Sequence, residues 1–418
     1  MVAKQLIVKS NWCNKRDLLC YADSTHPLMW LQANLSAVGV GEIVRLTASG
    51  DERITQLNSK WQELVRAAQI HDFVNAPHSG LTSYGAITFA GASATNSVLI
   101  VPQVIFGEYQ GRYFKTTVTE RGANSADNLI PQPTPLVPWQ EVALQHDPNQ
   151  AETSDYLAKA RRALATIDSG ELKKIVLARQ TSAALPVGAD LRAPLKWLWR
   201  NYRNCTTFAI DGFFGATPET IVRSTDRSFA SRVLAGTVRF NPEDPLANSA
   251  AGDILKTSPR INKEHDFATQ SVINALAPLV DEISWNRDPL VIELPNVLHR
   301  ATNIRAKIKP CYNSLDLLAA MHPTAAVAGT PTAAAVRLIG EIEDFDRARY
   351  AGAVGWINQH GDGEWALGLR CAQVHSTAGG AQITATAGGG LVAGSDIFAE
   401  LAETTVKMVP ISQALKNA

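Results

Sequence analysis

Short runs of β-branched and aromatic residues follow one another along this chain, with turn residues between them. Ala86–Ala90 and Ser97–Ile105 are separated by Gly, Ser and Asn. Thr207–Phe214 and Ser228–Leu234 repeat the pattern, as do Tyr350–Trp356 and Trp365–Val374. Runs that alternate with helices build doubly wound parallel sheets; runs that neighbour other runs build antiparallel ones. The spacing therefore predicts an α+β protein with large antiparallel β-sheets.

Helical periodicity is confined to a few places. Leu157, Ala160, Leu164 and Ile167 recur at helical spacing, Thr153 or Ser154 could cap that helix, and Gly170 could stop it. Lys173–Gln180 then reads as a buried strand in which Lys174, Val176 and Ala178 share one face. Asp266–Val280 reads as a helix, and so does the stretch from about Ser395 to Lys407 or beyond. Pro131–Pro138, continuing to Asn149, reads as a linker or surface crossing. The expected organisation is residues 1–130, a Pro-rich connection over 131–150, and a main region over 151–418.

Composition narrows the function classes. A chain of 418 residues can hold two or three domains or one large body. Hydrophobic residues at 45% and charged residues at 19% exclude a disordered chain. Lys plus Arg and Asp plus Glu are each 39, so the chain lacks the basic excess expected of a nucleic-acid binder. The five cysteines form no C-x-x-C pair and read as free thiols in a reducing cytoplasm. The amino terminus turns polar too soon for a signal peptide, and the longest apolar stretch, near Ser97–Phe106, is too short to span a bilayer. The expectation is a soluble cytoplasmic protein with no nucleic-acid or membrane partner.

Several residues could carry chemistry. Ala387–Gly390 is a glycine cluster leading toward a helix start, which suits a carboxylate or phosphate, or is simply a tight turn against a sheet. Glu400 and Glu403 share a helix face with Lys407 four residues beyond, as a solvated salt bridge or as a Mg²⁺ site. Glu264-His265 offers a second source of carboxylate, with His265 the better candidate for packing. Lys174 is a strand-end lysine facing water, or a base whose pKa burial lowers. Glu219 is an exposed turn acid or a general acid. Arg370, in an apolar run, needs an anionic partner if it is buried. Zinc is disfavoured, since H-E-x-x-H and C-x-x-C are both missing. Together these residues describe a pocket for a small dicarboxylate.

The motifs resemble the chorismate-utilising enzymes. The matching segments are KKIVLAR (173–179), FFGATPE (213–219), LAGT (234–237), KEH (263–265), LPNVLHRAT (294–302), MHPTAAVAGTP (321–331), RARYAGAVGW (347–356), GDGEWALGLRCA (361–372) and AGGGLVAGSDIFAELAETTVKM (387–408). They stand in the family's order over roughly 153–410, and residues 79–107 resemble its weaker amino-terminal part. The resemblance implies sheets packed face to face with helices outside, and a chorismate-binding catalytic region over 151–418. Lys174 resembles the branches that add water rather than ammonia. Ala235 replaces the lysine nucleophile of aminodeoxychorismate synthases. Ala326 stands where pyruvate-eliminating branches carry threonine. All three imply isochorismate formation, with salicylate synthesis as the alternative and a weakened chorismate-binding homologue as another.

The resemblance also implies roles. Lys174 would activate water for attack at C2 of chorismate, and Glu219 would protonate the departing C4 hydroxyl. Glu264 and Glu403 would hold Mg²⁺ on the ring carboxylate, and Glu400 would orient metal waters. Arg370, Tyr350 and the N–H groups of Gly388 and Gly390 would take the enolpyruvyl carboxylate. His299 and Thr302 would line the pocket, with Ala326 and Lys407 beside them. Gly236 and Thr237 would let backbone approach the substrate. No amidotransferase partner is implied, and a monomer is expected. Whether product feeds menaquinone, siderophore or salicylate synthesis stays open.

Four departures from the family pattern stand out. Arg260-Ile261 replaces an expected basic–acidic pair, Arg300 an expected leucine, Ala348 an expected glycine, and Phe240 follows Arg239 where glycine is common. They bear on metal affinity and rate more than on reaction type.

Overall fold

The computed structural model describes residues 5–122, 131–144, 151–239, 252–294, 297–377 and 380–418. It divides into two compact units. The first comprises Met1–Glu219, His322–Gln359 and Ala366–Ala418; the second comprises Thr220–Met321 and His360–Trp365.

The first unit opens with β1 (Leu6–Cys13), β2 (Leu28–Leu31), β3 (Leu35–Val40), β4 (Val44–Ala48), α1 (Arg53–Ala67), β5 (Gln69–Asp72), β6 (Thr82–Ile87), β7 (Ser97–Val101), β8 (Val104–Tyr109) and β9 (Arg112–Glu120). It continues with α2 (Ala151–Asp168), β10 (Lys174–Leu185), α3 (Arg192–Asn201), β11 (Thr206–Ile210) and β12 (Phe213–Thr217). After the second unit the chain returns through β18 (Gly329–Thr330), α6 (Thr332–Ile342), β19 (Ala353–Asn358), β21 (Cys371–Thr377), β22 (Gly380–Val392) and α7 (Ile397–Asn417). Twelve strands form one sheet in the order β18-β10-β22-β21-β12-β11-β2-β3-β8-β9-β1-β5. Its strand pairs among the described residues are antiparallel except for the β1–β5 edge. A second row, β19-β6-β7-β4, lies in the same unit, and β6 meets β11 across it.

Burial on both faces explains why these strands read as unbroken apolar runs. β6, β7, β11, β12 and β19 are buried at every position. One face of the large sheet packs Met29, Val38, Ala209, Phe214 and Ala216 against Leu195 and Leu198 of α3 and Ile411 and Leu415 of α7. The Pro-rich stretch crosses this surface as a strap. Val142 N donates to Leu415 O at 2.9 Å, and Val142 and Leu144 join the core.

The second unit holds β13 (Thr220–Thr225), β14 (Ser228–Arg239), α4 (Pro259–Leu276), β15 (Val280–Trp285), β16 (Leu290–Leu294), β17 (Val297–Ile308) and α5 (Ser314–Met321). β20 (Gly363–Leu367) begins in this unit. β17 is central, with β14 on one side and β15 and β16 along the other.

Several expected boundaries move. Thr207–Phe214 is not one strand but the hairpin β11–β12, turned by Asp211 and Gly212 at φ 55° and 74°. Trp365–Val374 breaks into β20 and β21, with Arg370 in the break. α2 begins at Ala151, so Thr153 and Ser154 are inside it. Gly170 does stop it, at φ 87°. α4 begins seven residues before Asp266, because Ser258 caps it and Pro259 occupies its first turn. α7 is capped by Asp396, whose side chain accepts from Phe398 N and Ala399 N. Among the described residues no helix is long and apolar enough to cross a membrane.

Candidate active site

Lys174 opens β10, and β22 runs antiparallel beside it with Lys174 opposite Val392, Val176 opposite Gly390 and Ala178 opposite Gly388. The backbone groups of Val176 and the N–H of Ala178 are engaged on the far side of β10: Val176 N donates to Ala328 O at 2.9 Å and Ala178 N to Glu343 Oε1 at 2.7 Å. These are therefore non-hydrogen-bonded pairs of the β10–β22 ladder. Gly388 and Gly390 consequently aim their N–H groups away from β10. On that side the β21–β22 ladder ends at Cys371–Thr386. Two backbone donors stand beyond the end of a ladder. The expected glycine turn at a helix start is thus corrected: Gly388–Gly390 lie inside a strand.

The glycines also leave room. A Cβ on Gly388 would stand 2.9 Å from the Tyr350 hydroxyl and 2.9 Å from Leu177 O. On Gly390 it would stand 3.4 Å from Lys174 Cε. Lys174 and Tyr350 therefore border one face of β22. Gly389 points to the opposite face, where Glu400 Oε2 and the Tyr156 hydroxyl would lie 3.0 and 3.1 Å from a Cβ.

Glu219 follows β12 in a fixed turn. Leu367 N donates to Glu219 O at 2.9 Å, and Thr217 Oγ1 donates to Leu367 O at 2.6 Å. Burial pushes the Glu219 carboxyl above its ordinary pKa; Lys174, then Lys407 and Arg370, pull the other way. Arg370 sits at φ 49° just before β21, and its own carbonyl accepts from Ala216 N at 3.2 Å. Burial lowers the pKa of its guanidinium. Neither the Lys174 ammonium nor the Arg370 guanidinium has a hydrogen-bond or ion-pair partner among the described residues. Tyr350 is buried, which raises its phenol pKa.

On α7, Lys407 Nζ donates to Gly388 O at 2.8 Å and pairs with Glu403 at 2.6 Å. Burial and then the like charge of Glu403 push Glu400 up to about 7. Among the described residues no three metal-ligating groups gather. Glu264 lies on α4, but its side chain, like those of Thr237 and Arg260, is outside the described residues, as is Phe240. Ala326 is exposed in the turn before the buried Val327 and Ala328.

In the second unit, Leu234 pairs with Ala301 and Thr237 with His299, so Ala235 and Gly236 bulge opposite Arg300. Gly236 holds φ 81° there. His265 is buried and joins Ala235 O at 2.9 Å to Thr302 Oγ1 at 2.7 Å, which makes it the clamp of this bulge. His299 is half-buried, and burial lowers its pKa. Three departures acquire physical meaning. Ile261 Cγ2 packs where a Gly236 Cβ would be, at 2.5 Å. Arg300 Nη1 donates to Leu255 O, Lys256 O and Asn262 Oδ1, tying β17 to the start of α4. Ala348 stands at φ 48°, which accounts for a glycine preference there.

The sequence reading missed Tyr156, whose hydroxyl faces Gly389 and Glu400 from α2. It also missed the buried pair Glu343–Arg347, whose spacing of four residues was its visible signal.

Comparison with known proteins accords with this geometry. An isochorismate synthase of Bacillus subtilis, DhbC, is 30% identical over 395 residues, covering 91% of each chain. The isochorismate synthase EntC of Escherichia coli K12 is 33% identical over 272 residues, covering 64% of this chain and 68% of its own. The structure of the menaquinone-specific isochorismate synthase MenF from Escherichia coli shares the fold at a TM-score of 0.80, with 24% identity, covering 99% of this chain and 95% of that one. The sequence pattern described as "Chorismate binding enzyme" matches residues 19–416. With that match spanning nearly the whole chain, the protein belongs to the family of chorismate-binding enzymes.

Proposed function

We propose that this protein isomerises chorismate to isochorismate. The observation that carries the reading is the desolvated Glu219 carboxyl, with Lys174 the foremost of the cations acting on it. An acid that must hold a proton and a base that must lack one form the same protonation state as an ion pair, with one proton moved between them. Burial at Glu219 favours its protonated form, the state a general acid needs.

Lys174 Nζ accepts a proton from water as the water oxygen bonds to C2. Both ring double bonds shift by one position, the C4–O bond breaks, and Glu219 gives its proton to the departing hydroxyl, which leaves as water. Lys174 and Glu219 end charged, and proton return from one to the other resets the site. Arg370, Tyr350 and the N–H groups of Gly388 and Gly390 bind the enolpyruvyl carboxylate, and Lys407 holds Gly388 in place. In this reading Gly236, Thr237, His299, Thr302 and Ala326 border the ring.

Glu403 and Glu264 would hold Mg²⁺, with Glu400 orienting its waters. The α7 donors suit a dication: the neighbouring carboxylates Glu400 and Glu403 repel strongly enough to help raise Glu400, and a dication relieves that repulsion. When bound, the ion supplies positive charge for the ring carboxylate. We place the protein in the cytoplasm, working as a monomer without an amidotransferase.

The test is product analysis of purified protein with chorismate, with and without Mg²⁺. Mg²⁺-dependent isochorismate without pyruvate is expected. Pyruvate with salicylate would replace this reading by salicylate synthesis, and ligand binding without turnover would replace it by a binding role.

A further inference from the structure

The strand that carries Lys174 has an incomplete neighbour. β18 pairs with β10 only at Lys174–Thr330 and Ile175–Gly329. Val176 N reaches Ala328 O just beyond it. After that point, among the described residues, the outer edge of β10 has no strand beside it, yet the next two outward polar groups, Val176 O and Ala178 N, are satisfied. Val176 O accepts from Arg347 Nη2 at 2.6 Å, and Ala178 N donates to Glu343 Oε1 at 2.7 Å. One side-chain donor and one side-chain acceptor stand in for a neighbouring strand at Val176 and Ala178.

The two side chains are bound to each other. Arg347 Nε and Nη2 donate to Glu343 Oε2 and Oε1 at 2.7 and 2.6 Å, and side-chain exposures are 2% and 1%. Arg347 Nη1 also donates to Val327 O at 3.1 Å, next to Ala326. Its guanidinium lies 4.6 Å from the Phe89 ring centre, and its carbonyl accepts from Tyr350 N at 2.9 Å. A buried ion pair is a poor source of stability, and fixing register is the best-attested reason to keep one. Here the pair touches the Lys174 strand, the Ala326 turn and the turn into Tyr350.

We infer that Glu343 and Arg347 are positioning residues for the isomerisation: they hold Lys174, Ala326 and Tyr350 in one fixed geometry without touching substrate. This rests on the functional reading above. Lysine cannot replace Arg347, because three donors on one nitrogen cannot reproduce four bonds spread over the planar fork of a guanidinium.

The test compares E343Q and R347K with D190N, which breaks the buried Asp190–Arg192 pair beyond the other end of β10. Unfolding temperature, kcat and KM for chorismate, the pH profile of kcat, and amide exchange at Ala178 are read for each. For E343Q and R347K the expectation is a kcat loss of about 10- to 100-fold with KM within about threefold, since small misplacements cost rate of this order. A displaced pH profile and faster Ala178 exchange should accompany it. D190N is expected to lose unfolding temperature while keeping kcat and its pH profile. If E343Q and R347K merely lose stability as D190N does, with kcat and pH profile intact, the positioning role is overturned. Wild-type protein that binds chorismate without turning it over sinks the functional reading instead, and faster Ala178 exchange would then leave the pair a purely structural role.

Discussion

Glu219 is a carboxyl whose surroundings oppose its ordinary charge. Its folded pKa lies above that of the unfolded chain, so protonated Glu219 supports folding at low pH, and that support is lost as pH rises through the folded value. E219Q removes the titration. Its unfolding temperature should gain on wild type as pH rises above the ordinary carboxylate range, with activity abolished. An unchanged difference across that rise would mean the carboxyl is not desolvated. Glu400 titrates near neutrality, at about 7. Because a protonated Glu400 offers the ion's waters no negative charge, Mg²⁺ should bind more tightly as pH rises through that value. Calorimetric titration should show this in wild type and a flatter dependence in E400Q.

At the scale of elements, β22 and the turn before β19 make opposite demands on small residues. Gly388 is glycine because Leu177 O and Tyr350 already occupy the space of a side chain. G388A should raise KM for chorismate about 10- to 100-fold, the worth of one hydrogen bond to a charged group, while the protein still folds. An unaltered KM would remove Gly388 from the binding site. Ala348 is the converse case, a side chain where φ is 48°. A left-handed alanine costs about 1–2 kcal/mol, and glycine gives back roughly 0.4–1 kcal/mol through unfolded-chain entropy. A348G should therefore gain about 0.5 kcal/mol in chemical denaturation, and a loss would show that the turn tolerates alanine without strain. Hairpin β11–β12 shows what a local reading can miss. Asp211-Gly212 is a strong turn signal, yet both strands are buried on both faces, and unbroken apolarity conceals the turn.

For the whole molecule, ligands that bind only the folded protein add stability by mass action. Chorismate at about 100 times its dissociation constant should add about 2.7 kcal/mol, read as a higher unfolding temperature with Mg²⁺ present. No shift would mean that the folded protein does not take this ligand. The sequence by itself determined the antiparallel architecture, because strand neighbours in the chain become strand neighbours in the sheet. It also singled out Lys174, Glu219 and Arg370 as candidates, since residue type and local spacing mark them, while the glycines it read as a turn lie inside a strand. Only the tertiary structure decided that the chain leaves its first unit at Thr220 and returns to it at His322. It alone turned Gly389 toward Glu400 and away from Lys174, and it alone set Glu343 and Arg347 along the open edge of β10. Such arrangements depend on which backbone groups remain unpaired once distant segments have packed, and no local pattern in the sequence records that.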